Sequence, residues 1–148
     1  MYIDFLSVMD VEYKYYLIEL IPRVFCGIIF LFQGYDKLFK IKIQGVVETF
    51  LFETQHRHVP KFLLQGMAVF ASNVEFIGGA LLIIGLFKTA VLTLFGLDLI
   101  FVAIAFSYMN PVWDMKHVFP RLMLILMLFV MPDRWSYFSI DHLISYFL

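Results

Sequence analysis

Four apolar runs divide the chain, covering about residues 17–39, 62–87, 90–108 and 118–131. A hydrocarbon core about 30 Å thick takes roughly 20 apolar residues per helical crossing, so runs of this length predict membrane-spanning helices. The fourth run holds only 14 residues, but Trp113 and Trp135 flank it 22 positions apart. That interval is about 33 Å along a helix, and indole rings favour the two membrane interfaces, so the fourth run is also read as a crossing. The expected fold is all-α: an integral membrane four-helix bundle, a single domain over residues 1–148.

Composition agrees. The chain is 62% hydrophobic and 16% charged, against about 45–50% and about 25% in soluble domains. A net charge of −1 offers no global attraction to nucleic acid. The lone cysteine, Cys26, cannot form an internal disulfide or cycle a dithiol. The opening MYIDFLSVMDVEYKYY has acids where a signal peptide has a basic region, and does not read as one.

Between the first two runs, IKIQGVVETFLFETQHRHVPK has apolar residues at 43, 46, 47, 50 and 51, with Glu48 and Glu53 opposite. This spacing predicts a short amphipathic helix at the interface, closed by Pro60. Pro22 is placed near the start of the first span, where a missing N–H does little harm. Runs two and three join tightly around Phe87, Lys88 and Thr89, and Asn110-Pro111 marks the turn into the fourth. Lys37, Lys40, Lys42, Arg57, Lys61 and Lys116 fall on the loop face, against Lys14, Lys88 and Arg134 on the terminal face. The positive-inside bias would place the loops in the cytoplasm.

The informative residues are the charges inside these runs. Glu75 lies mid-way along the second and Asp98 near the middle of the third. A central carboxylate facing lipid would cost about 2.5–3.5 kcal/mol, so both are expected to face protein. Ala68, Ala71, Ser72, Glu75, Gly78 and Gly79 share one helical stripe, and small residues of this kind let membrane helices approach closely. In the first run Arg23, Cys26, Gly27, Phe30, Gly34 and Lys37 form a comparable stripe, with Gln33 and Asp36 beside it. By depth, Arg23 would meet Asp98 or Glu75, and Arg121 would meet Asp36 or Glu75. Two readings stand side by side. The network fixes helix register without doing chemistry, or it forms a proton, ion or quinone-headgroup site, since intramembrane ionisable residues are functional candidates.

Metal and haem chemistry find little support. His56 and His58 flank Arg57 in a loop, His117 sits at the mouth of the fourth run and His142 in the tail. A bis-His haem needs facing imidazoles within the spans. A metal held by Glu53, His56 and His58 is less expected than a solvated loop, so no metal site is expected. There is no phosphate loop, nucleophile elbow or H-E-x-x-H.

The run RVFCGIIFLFQGYDKLF resembles the first-helix pattern of the DoxX-like membrane proteins, as VEFIGGALLIIGL resembles their Glu, paired-Gly and Gly-Leu signature and RWSYFSID their common ending. The resemblance covers about residues 20–141 and carries over Arg23, Gly34, Lys37, Glu75, Gly78 and Gly79. It implies a four-helix membrane bundle. Its members include proteins associated with quinone-linked oxidation of sulfur compounds, proteins implicated in oxidative-stress complexes, and cargo receptors. With one cysteine and no soluble catalytic domain, this chain is not expected to act alone as an enzyme. The expected role is an accessory or structural subunit of a membrane complex, in a bacterial inner (plasma) membrane. Its surroundings would be the lipid bilayer and other membrane or membrane-associated proteins, not nucleic acid. No cofactor is called for by the residues, although the resemblance admits a quinone. The alternative is a small transporter or ion- or proton-conducting protein working through Glu75 and Asp98.

Overall fold

The computed structural model of the chain describes residues 2–53, 59–109 and 111–147, leaving aside the side chains of 2–10, 53, 108–109, 111–115 and 117. Every regular element among them is helical. Helix α1 spans Tyr2–Tyr35, α2 Lys42–Glu53, α3 Lys61–Ile84, α4 Lys88–Met109, α5 Pro111–Val130 and α6 Ile140–Phe147. Among the described residues three helical stretches are long and apolar enough to cross a membrane, Val11–Lys40, Lys61–Ile84 and Lys88–Ser107, and a shorter apolar stretch, Val118–Val130, lies in α5.

Helix α1 begins far earlier than the first apolar run. At 34 residues it is about 51 Å long, well beyond a hydrocarbon core of about 30 Å. Pro22 therefore sits in the helix interior rather than in its first turn. Membrane helices tolerate such a proline where neighbouring groups take up the freed backbone. At its far end α1 widens into a π-helical turn, Asp36–Lys40, closed by the Ile41 N–H on the Asp36 carbonyl at 2.8 Å. Lys42 then takes φ 63° and turns the chain into α2, which presses Val47 onto Leu64 and Ala68 of α3.

α3 ends in a left-handed Gly85, φ 70°, with the Leu86 N–H on the Leu81 carbonyl at 2.9 Å. This glycine-dependent stop folds α4 back against α3 within three residues. The tail caps the new helix, because both Asp141 carboxylate oxygens accept from backbone, one from Phe87 N and one from Lys88 N, at 2.9 and 3.0 Å.

α1, α3, α4 and α5 pack in a ring, each against the next and α5 back against α1. The α1–α3 contact is the most extensive, and small residues make it so. A Cβ on Gly27 would lie 2.9 Å from the Gly79 carbonyl, and one on Gly34 would overlap the Phe76 backbone. Across the ring the Phe30 and Phe95 rings stack at 3.9 Å among Cys26, Leu82, Leu92, Ile125 and Leu128.

One expectation is corrected here. The interval from Trp113 to Trp135 is not a single helix, since α5 stops at Val130 and Asp133–Trp135 forms a 3-10 turn after Pro132. Proline lacks the N–H that would extend the helix, and it forces the residue before it out of helical geometry. Trp135 instead stacks on Tyr15 at 4.7 Å, as Tyr137 does on Tyr16 at 5.0 Å. The tail thereby returns to the early turns of α1.

Candidate functional site

The intramembrane charges divide into two groups at opposite ends of the α1–α3 interface. At the terminal end Arg23 is fully buried. Its Nε donates to Glu19 at 3.1 Å, Nη1 to the Leu82 and Ile83 carbonyls at 3.0 and 2.9 Å, and Nη2 to the Phe138 carbonyl at 2.6 Å. Glu19, one helical turn before Arg23, also accepts from the Ser136 hydroxyl at 2.9 Å, and Lys88 donates to that hydroxyl at 2.9 Å. The two carbonyls belong to the last turn of α3, where helix geometry leaves acceptors unused and the macrodipole favours a cation. Arg23 thus fastens α1, α3 and the tail together. It meets neither Asp98 nor Glu75, because its guanidinium is occupied at the far end of the helix from both.

At the loop end the π turn presents Lys37 to α3, where the ammonium donates to one Glu75 oxygen and lies in ion-pair contact with the other, each at 2.7 Å. Glu75 is almost wholly buried, whereas the Lys37 side chain keeps 28% of its surface exposed. Asp98 of α4 lies within electrostatic reach of Glu75, Lys37 and Arg121. It is fully buried, and neither carboxyl oxygen has a hydrogen-bond partner among the described residues. Arg121 donates to the Gln33 amide oxygen, Nη1 at 3.1 Å, once the amide is turned to face it. Asp36 stays at the surface and pairs with Lys40, one turn on, at 2.7 Å.

Beside this second group is a cavity of about 310 Å³ between the π turn, α2, α3 and α4. Its walls are apolar, including Val47, Leu64, Ala68, Ala71, Val102 and Phe106, and its charged lining residues are Lys37 and Asp98. Gly78, on the same stripe as Glu75, packs against Phe95.

Removing one member of a buried pair leaves an uncompensated charge, which costs about 3–5 kcal/mol in protein interiors. Lys37→Met is therefore expected to lower stability by about 3 kcal/mol, toward the low end because Lys37 is partly exposed. The double replacement Lys37→Met with Glu75→Leu is expected to recover most of that loss. Reversible unfolding in bicelles checks both. An unchanged midpoint for the single variant would show that the pair holds nothing together.

Of the residues picked from sequence, the structure brings Lys37, Glu75, Asp98, Gln33 and Arg121 to one end, and sets Arg23 at the other. Reading the chain missed Glu19, placed Lys88 only as a charge on the terminal face, and met Ser136 and Asp141 only within the RWSYFSID ending, without a partner for any of them. The Glu19–Arg23 spacing of four was visible, but Glu19 lay at the edge of an apolar run. The tail contacts join residues 48 or more positions apart, so periodicity along one helix does not reveal which residues they pair. Glu53, His56, His58 and His117 lie outside the described residues as far as their side chains go. Among the described residues no group of three or more His, Cys, Asp or Glu is placed to hold a metal. The family model that matches the chain is DoxX, over residues 18–109, from α1 to the end of α4. No curated protein and no solved structure matches it.

Proposed function

Because the chain belongs to the DoxX family, we propose that it is an accessory membrane subunit. It holds a partner protein at the bilayer and serves chemistry that reaches quinone through that partner. The observation carrying this reading is the aromatic surface at the terminal end. Tyr13, Tyr15, Tyr137, Phe138 and Tyr146 are all exposed, and the stacking of Tyr15 on Trp135 and of Tyr137 edge-on to Phe138 restrains several of them before any partner arrives. Tyr, Trp and Phe are enriched in interface cores, and rings already held in place lose less side-chain freedom on contact. The buried polar groups at this end are meanwhile occupied in fastening helices.

The test is purification from native membranes in gentle detergent, with Tyr13→Ser plus Tyr146→Ser as the variant. The expected result is a stoichiometric partner that stays with the parent and is lost from the variant, while the melting curve of the isolated chain is unchanged. Quinone reduction should appear with the complex and not with the chain alone. A parent chain that purifies without a stoichiometric partner, or that reduces quinone unaided, overturns the proposal. The second reading, conduction through Glu75 and Asp98, draws on the unpartnered Asp98 carboxyl. The apolar walls beside that group favour a molecule with a tail over a passing ion.

A further inference from the structure

The cavity beside Lys37 and Asp98 combines two features that do not ordinarily occur together. Its walls are hydrocarbon and aromatic, yet it contains a fully buried carboxyl group with both oxygens unpaired among the described residues. Burying a polar group without a partner costs free energy, and such groups are rare enough in folded proteins that each calls for an explanation. An apolar cavity by itself stays dry. A ligand that fills the walls with a chain and gives Asp98 a hydrogen bond accounts for both features.

Lys37 narrows the choice of head. An ammonium has three N–H donors, and its hydrogen bond to one Glu75 oxygen uses one of them, so donors remain for whatever enters. The charged groups lining the cavity therefore supply a donor, Lys37, and an acceptor, Asp98. A quaternary ammonium head would be repelled by Lys37 and a phosphate by Asp98. A head with carbonyl oxygens alone could satisfy Lys37 but would give an ionised Asp98 no hydrogen to accept, whereas a hydroxyl can partner that carboxyl whether it is ionised or protonated. A hydroxyl does both, because it donates and accepts through the same atom. Volume limits the rest, since about 310 Å³ is at the small end of the roughly 300–1,000 Å³ typical of ligand sites and suits one chain rather than two.

We infer that this cavity seats a single-chain amphiphile with a hydroxyl head, its hydroxyl between Lys37 and Asp98 and its tail against α2, α3 and α4. The hydroxyl can come from a lipid-derived alcohol or from a tailed hydroquinone, and the shared chemistry is what the site reads. The inference does not depend on any partner protein and is tested on the isolated chain.

The experiment uses the full chain in phosphatidylcholine nanodiscs with a diazirine-bearing fatty alcohol, activated by light and mapped by peptide mass spectrometry. Labelling is expected to concentrate on residues lining the cavity, among them Ala68, Val102 and Phe106, and to be competed by 1-dodecanol, by decyl hydroquinone or by both. Competition by one alone identifies the source, and competition by both shows that the site reads the hydroxyl they share. Asp98→Leu should weaken labelling roughly tenfold or more, the worth of a hydrogen bond to an ionisable group. Ala105→Trp fills the cavity without touching Asp98 and should abolish labelling in a chain whose melting is unchanged. Labelling spread evenly over lipid-facing helix positions and indifferent to Ala105→Trp overturns the inference. So does competition by decyl quinone or dodecyltrimethylammonium as strong as that by dodecanol.

Discussion

Gly79→Ala is expected to be among the most damaging single substitutions in the chain, lowering stability by about 3 kcal/mol. The added methyl would sit 2.7 Å from the Leu31 Cα and 2.8 Å from the Gly27 carbonyl oxygen, closer than real Cβ atoms approach backbone. Side chains can rotate away from an intruding group, but two helix backbones cannot, so α1 and α3 have to separate along their length. Overpacking a core usually costs about 1–3 kcal/mol, and a clash with backbone belongs at the top of that range. Separation would also pull Lys37 from Glu75 and Arg23 from the end of α3. Gly66→Ala is the control, since nothing lies within 4 Å of a Cβ there. On helix propensity alone it should stabilise by roughly 0.5–1 kcal/mol. Denaturant titration of both variants in bicelles gives the comparison, and equal midpoints would mean that the close approach at Gly79 is not what holds the bundle.

The stripe through residues 23–37 was legible because helical periodicity is local. Arg23, Gly27, Gly34 and Lys37 all face α3, meeting respectively Leu82 and Ile83, Gly79, Phe76, and Glu75. Which cation meets which carboxylate was not legible. Depth along the bundle placed Arg23 within plausible range of both central acids, but the actual partner lies on its own helix at Glu19. Helix ends were read poorly for a related reason. The polar, Tyr-rich residues before position 17 do not look like a membrane span, yet they continue α1 because the tail stacks on them at Tyr15 and Tyr16. The π turn at Asp36–Lys40 has no sequence mark of its own. It is nevertheless what aims Lys37, and π turns recur at functional sites.

The end of the molecule that sequence reading undervalued gives the other large effect. Arg23→Met is expected to cost about 4 kcal/mol, because it removes a cation that serves four acceptors and leaves Glu19 buried. Lys88, at 3.5 Å from Glu19, can compensate only in part, since it is already bonded to Ser136. Arg23→Lys should lose roughly half as much, because an ammonium is a point charge that cannot span the fork of Glu19, Leu82, Ile83 and Phe138. Adding Glu19→Gln to Arg23→Met removes the stranded charge while keeping an acceptor for Ser136, and should recover about 1–2 kcal/mol. A merely local role would end there, but the Phe138 bond predicts more. With Arg23 gone, the 136–141 segment loses the anchor that holds it over the end of α3, so limited proteolysis should cut there well before the bundle melts. The Asp141 cap on α4 would then open with it. Protease resistance at 136–141 equal to that of the parent, together with an unshifted melting curve, would show that the tail is held by its aromatic stacks alone.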